Sequence, residues 1–367
     1  QKRMDIPDSN AARISSRRRF VRQAALASSG LAAPAIGLPG VRTSESSPLE
    51  NGFRNPPRAS QPWAYWWWLD GAASKEGITA DLEEMRRQGI SGVLLFDAGA
   101  GGPDAPKGPP FMSDAWRENF RHAVREAGRL GIEMGVNLCS GWDAGGSWVR
   151  PDDAVKALVF SEITIQGPRQ VDELLAQPAA KHGWYRDIAV LACPAGQGAA
   201  WNSRLTLDLT PNTRDGRLRW SAPQGAWTIL RVGYTLGGQR TKNASSPEAE
   251  GWEIDPLSRD AFDRHFAATA QKLIEDAGKL AGSTFRYTHI DSWEIGQPAW
   301  NQEFPVEFRR RRGYDPIPYL PALAKKMVDS AEVTGRFLWD YRRTLADLVA
   351  ENYYGRLRDL SHQRGLR

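Results

Sequence analysis

Residues 62–98 read PWAYWWWLDGAASKEGITADLEEMRRQGISGVLLFDA, and this stretch decides the fold. The aromatic run Trp63 to Leu69, bounded by Pro62 and Gly71, favours a buried strand. Ser74 is placed to cap a helix; Ile78, Leu82 and Met85 recur at helical spacing, and Gly89 ends it. Val93 to Phe96 is a second short apolar strand, ending at Asp97. The unit is therefore strand, helix, strand, with short connections, which argues for parallel strands joined by crossover helices.

Working outward, the rhythm repeats. After a Gly/Pro-rich loop from Gly99 to Pro110, Ser113 caps a helix whose buried stripe is Trp116, Phe120, Val124 and Ala127, closed by Gly131. Ile132 to Leu138 is a third strand running into Ser140-Gly141-Trp142-Asp143. From Val155 to about Gly238 the pattern turns strand-like, with turn signals at Asp215-Gly216 and Pro223-Gln224-Gly225. The barrel rhythm resumes at Ser258, with a helix marked by Phe262, Phe266, Ala270, Leu273 and Ala277 and a fourth parallel strand from Phe285 to Ile290. A polar loop and one long helix, Val333 to Arg364, follow. The expected fold class is α/β, an incomplete (β/α)8 (TIM-like) barrel with an inserted antiparallel β-sandwich-like domain. A doubly wound open sheet is the alternative, although no Gly-x-Gly-x-x-Gly follows the first strand. The expected boundaries are 1–35 for an export signal, 36–61 for a linker, 62–154 for the first half of the barrel, 155–240 for the insert and 241–367 for its continuation. Four strands cannot close an eight-stranded barrel, so the expectation is a barrel cut short.

The bulk numbers suit a soluble globular chain of two or three domains: 367 residues, 41% hydrophobic and 25% charged. The net charge of +5 is a leader property, since residues 1–35 hold seven Lys/Arg and two Asp/Glu. The remainder is balanced, which argues against a nucleic-acid partner. No run is long and apolar enough to predict integral membrane contact. Arg17-Arg18-Arg19-Phe20, a mildly apolar run to Leu38 and Ala33-Pro34-Ala35 match a twin-arginine signal, so the expected location is periplasmic or secreted. Cys139 and Cys193 leave both a disulfide and two buried free thiols open.

Strand ends carry the chemistry in parallel α/β barrels. Here they read Asp70, Asp97, Asn137 with Trp142 and Asp143, and Asp291 with Glu294. Carboxylates serve as general acid and base, and Trp rings offer flat apolar faces to sugars, a pairing that suits glycoside hydrolysis. Plainer readings stand beside this one. Asp70 before Gly71 suits a turn, Asp97 a cap, Asp291 and Glu294 an ion-pair network, and His289 a hydrogen-bonded core position. Ala249 to Asp255 reads either as a solvated acidic loop or as a source of hard oxygen ligands for calcium. There is no His/Cys zinc spacing, nucleophile elbow or phosphate loop.

Several segments together resemble glycoside hydrolase family 106, the α-L-rhamnosidases. They are Pro62 to Gly71 with Trp66-Trp67-Trp68, Glu76 to Val93, Asn137 with Gly141-Trp142, Gly251 to Asp255, and Asp291-Ser292-Trp293-Glu294. The resemblance covers roughly residues 52–367. It implies a (β/α)8 catalytic domain with β-sandwich additions and inverting hydrolysis of terminal α-L-rhamnosides in a rhamnose-containing glycan. It also implies a calcium ion at the sugar, with Glu253 the expected metal ligand. Glu294 matches the family carboxylate after the fourth strand and is the expected general acid. Trp68, Asp70, Asp97, Asn137, Trp142 and Asp291 are the expected substrate-binding residues. The general base is expected beyond Arg367.

Overall fold

A computed structural model describes residues 47–99, 102, 104–195, 200–292 and 299–367. Two compact units divide the chain, residues 1–57 and 58–367. The described part of the first is one short helix, Pro48–Arg54, capped by Ser47.

In the second unit, β1 (Trp63–Leu69), α1 (Lys75–Arg87), β2 (Gly92–Ala98), α2 (Asp114–Leu130) and β3 (Glu133–Ser140) follow one another. The helix boundaries are set locally. Ser74 and Ser113 each accept a hydrogen bond from the backbone N–H three residues on, and Gly89 and Gly131 take the left-handed backbone that stops each helix. Strand β1 alternates: Trp66 and Trp68 are buried against α1 and α2, whereas Trp63, Tyr65, Trp67 and Leu69 face the other way and are exposed. The ring of Trp63 lies across Gly92, where a Cβ would meet it at 2.1 Å.

The insert is β4 (Lys156–Leu174), β5 (Tyr185–Pro194), β6 (Leu207–Asp208), β7 (Thr213–Arg214) and β8 (Arg217–Leu236). The order is β4-β8-β5-β6, with β7 on β8 and every pairing antiparallel. The expected sandwich needs a second facing sheet, and none is found among the described residues. A helical layer takes that place. Leu191, Leu230, Val232 and Tyr234 of the sheet pack on Trp300, Phe304, Phe308, Phe337 and Leu348.

Past the insert come β9 (Trp252–Glu253), α3 (Arg259–Ala268), α4 (Ala270–Ala277), β10 (Phe285–His289), α5 (Phe304–Arg312), α6 (Ala331–Val349) and α7 (Arg356–His362). The single helix read over Phe262 to Ala277 is broken at Thr269, whose backbone leaves the helical region. Residues 299–349 were expected to continue the barrel, but they cover the insert instead. The apolar stripe Phe337, Tyr341, Leu345 and Leu348 suits any apolar sheet, so its spacing alone does not choose between the two. The expected helix Val333–Arg364 contains a π-helical turn, Ala350–Gly355; Tyr353 within that turn and Leu360 after it join the parallel-sheet core.

The parallel strands form one sheet in the order β1-β2-β3-β10. It is open, with no closed barrel, and its covered face is the helical one. On the outer edge of β10, Thr288 N–H donates to Arg367 O (3.0 Å) and Arg367 N–H to Arg286 O (2.6 Å), the bonding of a parallel neighbour. Cys139 and Cys193 are buried free thiols. Among the described residues no helix is long and apolar enough to cross a membrane.

The facing of β1 makes a direct prediction. Trp68→Ala should cost about 3–5 kcal/mol, and Trp67→Ala less than half as much, by urea denaturation. Equal losses would mean that the faces are assigned the wrong way round.

Candidate active site

The C-terminal ends of β2 and β3 are tied to the loop that leads from the insert to β9, and the end of β1 is bonded to β2. Asp70 has a left-handed backbone (φ 51°), so the turn reading holds for it. Its N–H donates to Ala98 O (2.7 Å), and its buried carboxylate lies 3.0 Å from Lys107 Nζ. Asp97 at the end of β2 is 1% exposed. One oxygen accepts from Trp116 Nε1 (2.9 Å), the other from Ser140 Oγ (2.5 Å). Ser140 Oγ in turn accepts from Ser245 N–H (2.8 Å). Burial pushes the Asp97 carboxyl up to about 6, against the bonds from Ser140, Ser245 and Trp116, and the nearby Asp70 charge adds to the rise.

Backbone bonds complete the stitching. Gly99 N–H donates to Asn243 O (2.8 Å), Asn243 Nδ2 to Gly99 O (3.1 Å), Trp142 N–H to Lys242 O (3.2 Å) and Lys242 N–H to Asp143 Oδ2 (3.3 Å). Asp70, Lys107, Thr241, Asn243, Ser245 and Glu250 line a cavity of about 420 Å³ beneath this loop.

A second group gathers on the open face of the sheet. Trp142 lies edge-on to Trp67, with ring centroids 5.5 Å apart, and Phe96 sits 5.6 Å from His289. His289 Nε2 is 3.4 Å from Asp291 Oδ1. Asn137 is fully buried; its Nδ2 donates to Gly141 O (2.9 Å), and its Oδ1 has no hydrogen-bond partner among the described residues. Cys139 lies between the groups. Burial pushes its thiol up, the Asn137 hydrogen bond opposes this, and the Asp143, Asp291 and Asp97 carboxylates add to the rise. The charges of acidic groups from three strand ends are thus felt at this one thiol.

Trp68 is placed differently from the expectation. It is 2% exposed on the helical face, against Trp66 and Trp116, and its Nε1 finds no acceptor among the described residues. Alternation along β1 puts Trp67 on the open face in its stead. Glu294 lies outside the described residues, as does the segment expected to be a twin-arginine signal. Glu253 is buried on β9, which pairs with Gly145–Gly146. Among the described residues, no three His, Cys, Asp or Glu come together in a way that fits a metal ion, so no step is derived through calcium. The sequence reading passed over Lys107, Ser140 and the run Thr241 to Ser246. The run's signal, hydroxyl and amide side chains closely spaced before Gly251, resembles ordinary loop composition.

The sequence profile of the alpha-L-rhamnosidases, glycoside hydrolase family 106, matches residues 54–200 and 191–367. A protein of Formosa agariphila named "Putative beta-glucuronidase" is 36% identical over 356 residues, 88% of this chain and 30% of that protein. The structure of a rhamnosidase from Novosphingobium sp. PP1Y superposes with a TM-score of 0.79 at 25% identity, covering 87% of this chain and 46% of that one. The chain thus spans less than half the length of either relative.

Asp97 carries a pH signature. The unfolded chain releases this proton near 3.8 and the folded chain near 6, so Asp97 alone makes stability fall as pH rises through that window. Relative to the wild type, Asp97→Asn should gain roughly 3 kcal/mol across it, whatever it loses uniformly from altered bonds. Denaturant titrations at several pH values that run parallel for the two proteins would refute the buried ionisation.

Proposed function

The chain belongs to the α-L-rhamnosidase family, glycoside hydrolase family 106, and on that premise we propose that it is part of an exported enzyme that hydrolyses terminal α-L-rhamnosyl linkages with inversion. The observation that carries this reading is the row of carboxyl and amide groups, Asp70, Asp97, Asn137 and Asp291, at the C-terminal ends of four neighbouring parallel strands, beside the Trp67 and Trp142 rings. In this reading the four strands are part of a (β/α)8 barrel, which the parallel bonding of Arg367 to the edge of β10 supports.

Glu294 protonates the departing glycosidic oxygen. A carboxylate from a strand that these 367 residues do not contain activates water on the opposite face of the sugar, about 6.5–9.5 Å away. Asp70, Asp97, Asn137 and Asp291 hold sugar hydroxyls, directly or through the bonds that fix the loop above them. Trp142 and Trp67 supply the apolar wall. The leader, with its paired arginines, supports delivery to the periplasm or beyond.

A second reading keeps the hydrolase and changes the sugar, and the name of the Formosa agariphila relative favours it. A panel of aryl glycosides offered to the full-length protein separates the two, since only the first expects the α-L-rhamnoside to be turned over fastest. For that substrate, Glu294→Gln should lower kcat by roughly 10²–10⁴ with a poor leaving group and far less with an activated one. Near-normal turnover of the poor substrate by the variant would take the acid role from Glu294.

A further inference from the structure

Most arginines on the helices over the insert are held by carboxylates. On α6, Arg336 reaches Glu332 (2.5 Å) and Arg343 reaches Asp347 (3.0 Å); on α5, Arg309, Arg310, Arg311 and Arg312 are all paired. Arg342 is exposed and makes no ion pair or hydrogen bond among the described residues. It borders a groove of about 650 Å³ between α6 and the turn that precedes it. Ala322, Leu323, Met327, Ala331 and Leu338 supply the apolar lining. At Gly335 nothing lies within 4 Å of where a Cβ would stand, so the helix surface there is bare. The hydroxyl of Thr334 in the same lining is already used, since it accepts from Val328 N–H (2.8 Å) and donates to Val328 O (3.0 Å).

The charged lining is all of one sign. Lys325, Lys326 and Arg342 contribute to it, and no carboxylate does among the described residues. Lys326 is paired with Glu162 (2.6 Å), whereas Lys325, like Arg342, has no counter-ion among the described residues. The turn that carries the lysines is fixed by its backbone: Lys325 N–H donates to Ala322 O (3.2 Å) and Lys326 N–H to Pro321 O (3.0 Å). Beside the groove stands Trp339, one helical turn from both Gly335 and Arg342. It is 69% exposed and makes no ring contact or hydrogen bond among the described residues. Such exposure is unusual for a tryptophan.

An indole face takes the C–H face of a sugar ring, and uncompensated ammonium and guanidinium groups take carboxylates. The volume lies within the roughly 300–1,000 Å³ of ligand sites. A lipid tail needs enclosure to leave water, which an open groove with its aromatic ring standing outside does not give. We propose that the groove and Trp339 bind a chain of acidic polysaccharide, held by its uronate groups and ring faces. The choice of a glycan over another polyanion rests on the chain's being part of a glycoside hydrolase.

The test is affinity electrophoresis of the full-length protein. Polygalacturonate in the gel should retard it, and the methyl-esterified polymer, which keeps the rings and loses the charge, should retard it less. Raising the salt should weaken the first effect. Trp339→Ala and Arg342→Gln should each weaken binding by roughly five-fold or more. Both side chains are exposed, so Tm should not move, and neither lies at the strand ends, so kcat on a small aryl glycoside should not change.

Binding that Arg342→Gln reduces and Trp339→Ala leaves intact would be adsorption of a polyanion by charge and would overturn the site. So would capture of phosphatidylglycerol vesicles in place of the polymer through the same residues, or no retardation by either polygalacturonate or dextran sulfate. Binding is read without turnover, so a wild type that cleaves no rhamnoside overturns the sugar assigned to the active site and leaves this groove standing.

Discussion

A carboxylate without water needs donors, and Asp97 has hardly any water. Burying such a charge costs several kcal/mol unless hydrogen bonds replace hydration. The replacements come from Trp116 on α2 and Ser140 at the end of β3, while Ser245 of the loop before β9 ties to the same Ser140 oxygen. The electrostatic need of one side chain therefore joins a helix, a strand end and a distant loop at one point. The cavity beneath that loop exists because the loop is held there. The remaining elevation, to about 6, measures how incompletely these donors replace water.

A comparable need marks the seam between the two cores. Lys156 and Asp255 are both buried. Burial pushes Asp255 up to about 6 and Lys156 down to about 8, each opposed by the other's charge. Lys156 Nζ spends its donors on Asp152 O (3.1 Å) and Ala154 O (2.5 Å) and sits over the Trp184 ring. The insert is thereby bonded into the parallel half at its first residue, and the run from Ala331 to His362 spans both cores. Its first part serves the insert and its last part the parallel sheet, with the π-helical turn between them. A π turn adds a residue without ending the helix, which shifts the buried face at the place where the partner sheet changes.

What was legible in the sequence was local. Ser74, Ser113, Gly89 and Gly131 announce helix ends through bonds within a few residues, and the apolar runs of the four parallel strands announce themselves by composition. Period-two alternation in β1 shows that Trp66 and Trp68 share a face, but only the docking of α1 and α2 decides that this face is the covered one. Trp68 was therefore read as a pocket wall, and its neighbour Trp67 holds the open position. The cover of the insert was illegible for the same reason, because an amphipathic stripe carries no address. Ser245 could not be matched to Ser140 from sequence, since 105 residues separate them.

The commitments of the described carboxylates bear on how acid chemistry is divided. Asp97 has an elevated pKa, the usual mark of a general acid, yet both of its oxygens already accept hydrogen bonds and it has almost no access to solvent. A proton placed on it has no open path to a leaving group. Asp70 is matched to Lys107, Asp143 accepts from the Lys242 backbone, and Asp291 is engaged by His289 and Ser292. Each holds the architecture of the strand ends, and a group that does so cannot also move freely through a protonation cycle. The sequence places one more carboxylate just past the fourth strand, three residues beyond Asp291. Within the proposed function, the acid role therefore falls to Glu294 because the described strand-end carboxylates are already engaged by other groups.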